Sequence, residues 1–416
     1  MSNSTVTGGD NGIPENGTIV IAAHAWFGEV FGGAFRVATE LAEFLASEGA
    51  SVVYLCTSPN VDHIEIDHCN GVERWRYPEP TGHGMTRWRH HMQSSRKLFH
   101  QIMQRHAVSA VVGHSPLQLA GALDAAGRRP MHRVYTVHSP FPDELAANAA
   151  QRSWKLFFQT QWAARIEERL LRRSTVVQTL SHFTAERLKS RYSSAFKTSV
   201  TVPGWVDGDR FQPATNRAAL RHRLGEFWKA DVPLFLSVRR LEHRMGLDTL
   251  LRAAALVKAQ GQTFRVVIAG DGALRGELEA LSTELGLSDS VLFPGRVSED
   301  DLPLMFAAAD CFVLPTRALE CFGLIVLEAY AAGIPVIASR VGAIPELVEP
   351  MGEDWLVPPD DPPRLATAML RFLRQELVPR TDLRTYSEKF DRVRVLPAWR
   401  DVCRPASVSQ QRSGGD

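Results

Sequence analysis

Two glutamates, Glu320 and Glu328, lie in a segment that has few other charged residues. Residues 316–333 read TRALECFGLIVLEAYAAG, so Glu328 follows the apolar run LIVL. A carboxylate among such side chains needs hydrogen-bond donors, because burying even a neutral polar group without a partner costs roughly 2–7 kcal/mol. The vicinal hydroxyls of a sugar or a ribose are suitable donors. With Gly323 between the two glutamates, the pattern favours a ligand site over a glutamate on the solvent face of a helix.

Short apolar runs on both sides of this segment would position the glutamates. Residues 311–314 and 335–338 predict two strands joined by a helix, which is the repeating unit of a parallel sheet. The helix should begin at Phe322 or Gly323 and end at Gly333, where glycine tolerates the left-handed conformation. In such units ligands bind at the carboxyl ends of the strands, facing the helix N-terminus. We therefore expect Glu320 and Glu328 to line a binding site.

The spacing E-x7-E, with F-G-L inside it and A-A-G-I-P-V-I-A-S after it, resembles the retaining glycosyltransferases of family 4. The resemblance covers residues 18–400 and is strongest over 234–348. It implies an α/β protein of the GT-B type, with two Rossmann-like, doubly wound domains facing across a cleft. The expected parts are an acceptor-side domain over 18–205, a nucleotide-sugar-binding domain over 206–385, and helices that return to the first domain over 386–404.

Arginines after the predicted strand 234–238 could bind the diphosphate of a nucleotide sugar. The sequence there is RRLEHRMGLD, and arginine is a good bidentate ligand of phosphate oxygens. The resemblance assigns Arg240 to the diphosphate. The lysine that the family has next in this loop is Met245 here, so we expect the adjacent Arg244 to take its role.

The resemblance assigns the remaining site residues one by one. His138, in VYTVHSPF, and Glu320 would contact the donor sugar, which makes His138, Arg240, Arg244 and Glu320 the expected catalytic set. The expected donor-binding residues are Gly32, Gly33, Arg296, Val297, Phe322, Gly323, Leu324 and Glu328. No acidic D-x-D cluster follows a predicted strand, so no metal ligand and no cofactor are expected. A UDP-sugar is the favoured co-substrate, with a GDP-sugar as the alternative.

Composition limits the class of protein. The chain has 416 residues and a net charge of +1, so no overall basic field indicates nucleic acid. No apolar stretch reaches the roughly 18 residues of a membrane span, and five scattered cysteines predict a reduced, cytoplasmic protein. The two ends, before Gly17 and after Pro405, are expected to be disordered.

The first half of the chain is harder to interpret. We expect residues 63–89 to be irregular. The basic segment 87–106 predicts a surface helix with one face in the core, and a weak peripheral contact with an anionic membrane or a phosphorylated acceptor is its alternative interpretation. A small molecule, a polysaccharide and a lipid-linked glycan all remain open as the acceptor.

The predicted activity is transfer of a hexose with retained anomeric configuration and without a metal ion. Two other classes share the same residues. A nucleotide-sugar epimerase would act on the donor without an acceptor, and a non-catalytic sugar-nucleotide-binding protein would not turn the donor over.

Overall fold

The computed structural model describes residues 17–149, 153–196, 199–229 and 231–404. The chain divides into two compact units. The first combines the described residues within Met1–Ala146, Arg152–Val202 and Leu396–Asp416, and the second combines those within Ala147–Gln151 and Pro203–Val395. The predicted disordered ends lie outside the described residues. No helix among those described is both long and apolar enough to cross a membrane.

The first unit is built on an eight-stranded sheet whose strands are β1 (Thr18–Ala22), β2 (Val52–Ser58), β3 (Glu65–Cys69), β4 (Val72–Pro78), β5 (Val108–Gly113), β6 (His132–Val137), β7 (Val176–Thr179) and β8 (Ser199–Thr201). Its helices are α1 (Gly33–Ser47), α2 (Gly84–Arg105), α3 (Pro116–Ala126), α4 (Phe141–Ala147), α5 (Trp154–Arg173) and α6 (His182–Arg191). The strand order is β3-β4-β2-β1-β5-β6-β7-β8. All neighbouring strands are parallel except β3 and β4.

The prediction that residues 63–89 are irregular is wrong. β3 and β4 form an antiparallel hairpin that pairs Cys69 with Val72 across the two-residue loop Asn70-Gly71. Both loop residues have positive φ, 50° and 80°, as a tight hairpin turn requires. An Asn-Gly pair is a strong sequence signal for such a hairpin, and side chains that alternate between half-buried and buried from Arg74 to Pro78 in β4 agree with it.

Helix α2 confirms the prediction of a surface helix with one face in the core. Leu98, Phe99 and Ile102 are buried on one side of it, while its charged residues lie on the other. Ser181 caps α6, since its side chain accepts a hydrogen bond from the backbone N–H of Thr184.

The second unit repeats the strand–helix alternation around a six-stranded parallel sheet with the order β11-β10-β9-β12-β13-β14. Its strands are β9 (Leu234–Val238), β10 (Arg265–Ala269), β11 (Val291–Gly295), β12 (Cys311–Leu314), β13 (Val336–Ser339) and β14 (Leu356–Val357). Its helices are α7 (Arg217–Leu224), α8 (Leu247–Ala259), α9 (Arg275–Glu284), α10 (Asp301–Ala308), α11 (Leu324–Ala331), α12 (Ile344–Val348), α13 (Pro362–Leu373) and α14 (Leu383–Ser387). The expected strand–helix–strand unit is β12-α11-β13.

The last helix, α15 (Arg392–Cys403), contains the second boundary between the units. Residues up to Val395 group with the second unit, and residues from Leu396 group with the first. The other boundary lies between Val202 and Pro203.

Candidate active site

The order in which strands are added to the second sheet reverses between β9 and β12. From β9 the chain adds β10 and β11 on one side, and it then returns to add β12, β13 and β14 on the other. In doubly wound sheets the loops that follow the two strands at such a point diverge and leave a crevice in which ligands bind. Here those two loops are residues 239–246 and 315–323. They carry Arg240, Arg244 and the first glutamate that the sequence singled out, whereas Arg296 follows β11.

The centre of this site is an ion pair between Arg239 and Glu320. The Nη2 atom of Arg239 donates to Oε2 of Glu320 over 2.7 Å, and it also lies 3.3 Å from the hydroxyl of Thr316. The two neighbouring arginines differ in side-chain exposure. Arg239 is 10% exposed, whereas Arg240 is 55% exposed and pairs with Glu242. The sequence had not distinguished Arg239, which here lies beside Glu320.

Backbone contacts hold Glu320 in place. Leu319, directly before it, has a φ of 54°, which is unusual for a residue with a branched side chain. The carbonyl of Glu320 accepts from the N–H of Ala343, and a Cβ added to Gly342 would lie 2.0 Å from the same oxygen. Only glycine therefore fits at position 342, and a strained backbone held by its surroundings is common at functional sites.

Arg244 lies inside the site and not in solvent. Its Nη1 donates to the carbonyl of Leu319 over 3.2 Å, and burial followed by the charges of Arg240 and Arg239 lowers the pKa of its guanidinium. The Nε–H groups of Arg239 and Arg244 are both buried without a hydrogen-bond acceptor among the described residues. Such unsatisfied donors beside like charges form a site for an anion.

Met245 occupies the position of the family lysine. It is buried, and its sulfur is 3.1 Å from Nη2 of Arg239. A side chain at position 245 therefore reaches the arginine cluster.

Helix α11 begins at Leu324, one residue after the later of the two predicted starting positions, Phe322 and Gly323. Gly323 is its N-cap with a φ of 98°, and Gly333 follows its C-terminus with a φ of 74°. Phe322 is buried and Leu324 is half-buried, while Glu328 is buried in the second turn of the helix. Arg296, by contrast, is exposed after β11, and Val297 is half-buried.

Three of the expected site residues belong to the first unit. Gly32 is the exposed N-cap of α1, and Gly33 is the first residue of that helix. His138 follows β6, and its Nε2 is 2.9 Å from Nδ1 of His114, which follows the neighbouring strand β5. Burial lowers the pKa of His138 to about 4 and that of His114 well below its ordinary value. Two neutral imidazoles therefore share one proton in this hydrogen bond.

The sequence had given no role to His114. Its ring stacks on Trp399 with centroids 6.0 Å apart, and its Nε2 is buried without a hydrogen-bond partner among the described residues. The available signal was a histidine after each of two strands, but the sequence alone does not show that β5 and β6 are neighbours.

Glu167 in α5 anchors the chain just after His138. Its carboxylate accepts from the N–H of Phe141 over 2.9 Å and from the hydroxyls of Tyr135 and Tyr192 over 3.2 and 2.8 Å. The side chain is fully buried, and this burial raises the pKa of Glu167 from 4.5 to about 7.

Replacing Glu167 with glutamine should flatten the pH dependence of stability. Because the folded carboxyl holds its proton up to about pH 7 and the unfolded one only to about 4.5, its contribution to stability is present at low pH and is lost as pH rises through 7. Between pH 5 and 8 the wild-type free energy of unfolding should fall by roughly 2–3 kcal/mol more than that of Glu167→Gln. Denaturant titrations at both pH values measure this difference. The neighbouring Glu168→Gln is the matched control, and an unchanged pH dependence in Glu167→Gln would contradict the assignment.

Two family models match the chain in consecutive parts. Glycosyltransferase Family 4 matches residues 31–210, and Glycosyl transferases group 1 matches residues 221–390. The chain is 38% identical over 183 residues to the GDP-mannose-dependent alpha-(1-6)-phosphatidylinositol monomannoside mannosyltransferase of Mycobacterium tuberculosis, covering 42% of this chain and 46% of that protein. It is 36% identical over 200 residues to the D-inositol 3-phosphate glycosyltransferase of Streptomyces avermitilis, covering 46% and 40%. The matched stretch thus spans less than half the length of either relative.

Solved structures agree over nearly the whole chain. The sucrose-phosphate synthase of Thermosynechococcus elongatus superposes with a TM-score of 0.79 at 23% identity, covering 92% of this chain and 97% of that one. HepE of Anabaena, in complex with UDP and glucose, gives 0.69 at 17% identity, covering 92% and 98%. The two parallel-sheet units are thus those of the GT-B fold. The chain belongs to glycosyltransferase family 4.

Proposed function

We propose that this protein is a retaining glycosyltransferase that moves a hexosyl group from a nucleoside diphosphate sugar to an acceptor hydroxyl. The observation that carries the proposal is the arginine cluster between β9 and β12. Three guanidinium groups, those of Arg239, Arg240 and Arg244, have two carboxylates as their ion-pair partners, Glu242 and Glu320. Within the described ranges one positive charge is thus left over, and two buried Nε–H donors lack acceptors. A diphosphate would supply both the charge and the acceptors.

Charge development explains why this arrangement suits the reaction. As the bond between the anomeric carbon and the phosphate oxygen breaks, negative charge grows on the diphosphate. Fixed donors aimed at that charge give the largest stabilisation that an active site provides. Arginines and the N-terminus of α11 at Gly323 can supply it, so we assign no metal ion to the diphosphate.

Retention follows from attack on the face that the diphosphate leaves. The acceptor oxygen bonds to the anomeric carbon, and its proton passes to the departing phosphate oxygen. Such a step needs no carboxylate nucleophile. In this proposal Glu320 binds sugar hydroxyls and Glu328 binds the ribose hydroxyls.

The relatives bear on the donor and the acceptor. The mycobacterial relative is named for GDP-mannose, whereas the Anabaena neighbour was solved with UDP. GDP-mannose is therefore the first donor to test, beside the UDP-sugars that the sequence favours. Two relatives are named for acceptors that contain an inositol phosphate, so we propose a phosphorylated polyol, free or lipid-linked, as the acceptor class. The five cysteines are free thiols, which supports a cytoplasmic location.

Proton NMR of fresh reaction mixtures tests the function. The protein should convert GDP-mannose or a UDP-hexose and inositol phosphate into a glycoside with the anomeric configuration of the donor, and it should do so in excess EDTA. An epimerised donor without acceptor would instead identify the isomerase. An inverted product would exclude the retaining mechanism. If the protein binds the nucleotides but converts none of these donors, the result would indicate a non-catalytic sugar-nucleotide-binding protein.

Glu328→Gln should weaken nucleotide binding while leaving the fold intact. A neutral amide is a poorer acceptor for two hydroxyls, and the loss of a charge-assisted hydrogen bond costs about 1.5–3 kcal/mol. Calorimetry with GDP and UDP should therefore show a Kd raised about tenfold or more. Glu346→Gln on α12 is a control in the same unit. Wild-type affinity in Glu328→Gln would show that this carboxylate does not face the ribose.

A further inference from the structure

Two histidines and a glutamate come together in the first unit, outside the residues assigned to transfer. His24 follows β1, Glu79 follows β4, and His91 lies in α2. One nitrogen of each imidazole and one carboxylate oxygen all lie within 4.8 Å of one another. The three residues are far apart in the sequence, and the order of the strands brings them to the same edge of the sheet.

The distances suit ligands that share a metal ion. His91 Nε2 is 3.6 Å from Oε1 of Glu79, which is longer than a hydrogen bond. Around a tetrahedral ion with bonds of about 2.0–2.1 Å, neighbouring ligand atoms lie roughly 3.3 Å apart. Among the described residues the His24 ring makes no hydrogen bond, and it packs on Phe35 and His91 with centroids 5.8 and 5.4 Å apart. Small rotations of the side chains would bring the three atoms to a common centre.

Buried polar groups contact the Nδ1 atom of His91. Its Nδ1 lies 3.4 Å from the hydroxyl of Tyr77 and 3.3 Å from Nε2 of Gln118, and that amide in turn donates to the same hydroxyl over 3.0 Å. Metal-binding histidines donate the second ring nitrogen to a buried acceptor, and of these two groups the Tyr77 hydroxyl can accept from Nδ1, whereas the Gln118 amide is itself a donor. The tautomer with the proton on Nδ1 leaves the lone pair of Nε2 free toward Glu79.

Arg87 is the competitor for this site. Its guanidinium pairs with Oε1 of Glu79, the oxygen nearest His91. The Arg87 side chain is 42% exposed, so it can leave the carboxylate for solvent at a small cost. Bound metal and Arg87 would then exclude each other from the same oxygen.

We propose that His24, Glu79 and His91 bind a divalent transition-metal ion of the zinc type, and that Arg87 competes with this ion for Glu79. Two imidazoles and one carboxylate suit zinc or cobalt, whereas magnesium and calcium prefer oxygen ligands alone. Three protein ligands leave a fourth position for water or for an oxygen of a bound molecule. The proposal does not depend on the assigned transferase activity, because no nucleotide or acceptor takes part in it.

Cobalt(II) is the probe, because its visible absorption reports coordination by nitrogen and oxygen. Chelator-treated, tag-free protein is titrated with Co²⁺ and then with Zn²⁺ as the displacing ion, without any donor. Wild type should bind one Co²⁺ per chain. Glu79→Gln and His24→Gln should each raise the Kd at least about tenfold. Arg87→Gln should lower the Kd, which is a result that a purely structural role of the cluster would not produce.

His90→Gln is the matched control, because His90 is the exposed neighbour of His91 on the same helix. It should bind Co²⁺ as wild type does. Glu79 and Arg87 are partly exposed, so their variants should fold, and melting curves verify this. The absence of stoichiometric binding, or equal binding by wild type and Glu79→Gln, would overturn the metal site. An unchanged Kd in Arg87→Gln would overturn the competition.

Discussion

Replacing Arg244 with alanine should lower kcat and kcat/KM together, by about a hundredfold or more, as expected when one donor to transition-state charge is lost. Arg244 is half-buried in the loop after β9 and donates to the carbonyl of Leu319. Its buried Nε–H has no acceptor in the part of the chain that the structure describes, and burial followed by the charges of Arg240 and Arg239 lowers the pKa of its guanidinium. Bound diphosphate removes both costs, and the gain grows as charge develops on the leaving group. Steady-state kinetics with the donor that the NMR experiment identifies measure the effect.

Three further variants locate the cause of that loss. Arg252→Ala, an exposed arginine on α8, is the control and should keep wild-type rates. Met245→Lys in the Arg244→Ala background should restore part of kcat, because the side chain at position 245 reaches Arg239. If Arg240→Ala lowers kcat/KM more than Arg244→Ala does, then Arg240 stabilises the diphosphate, as the family resemblance assigns, despite its exposure. Wild-type turnover in Arg244→Ala would show that Arg244 only positions Leu319 and does not stabilise the leaving diphosphate.

Glu320→Gln should lower kcat by about tenfold to a hundredfold and change the Kd for the nucleotide much less. Glu320 accepts from Arg239 over 2.7 Å, and we assign its carboxylate to the hydroxyls of the transferred sugar. A neutral amide weakens charge-assisted hydrogen bonds by about 1.5–3 kcal/mol, and those bonds lie on the sugar side of the site. Kinetics paired with nucleotide calorimetry separate the two effects. If the affinity for the nucleotide and kcat fall by the same factor, we would conclude that Glu320 contacts the nucleotide and not the sugar.

A double-mutant cycle between Arg239 and Glu320 completes this test. If Arg239 acts by positioning Glu320, the double variant Arg239→Gln/Glu320→Gln should be hardly slower than the worse single variant. Additive losses would mean that Arg239 contacts the diphosphate independently of Glu320. A thermal melt of each variant is needed, because breaking a largely buried ion pair also costs stability.

The sequence by itself was enough for the local elements of the site and for the fold class. Apolar runs of strand length, each followed by a helix-length segment, predicted the parallel sheets, and Gly333 marked the end of α11 because its backbone must adopt positive φ. The spacing of Glu320 and Glu328 predicted a strand–helix–strand unit with one glutamate in the loop and the other inside the helix. These features depend on residues close in the chain. The Asn70-Gly71 hairpin is equally local, because this dipeptide itself favours the tight turn.

Only the tertiary structure decided which distant residues meet and which side chains point inward. Arg239 and Arg240 are chemically identical and adjacent, but their side chains leave the loop in different directions. The Arg239 backbone is fixed against the neighbouring loop after β10, where a Cβ on Gly270 would lie 1.9 Å from the Arg239 carbonyl. Likewise, His114 meets His138 because β5 lies beside β6. Strand order is a property of the whole sheet, set by how all the helices and strands pack, so no local spacing encodes it.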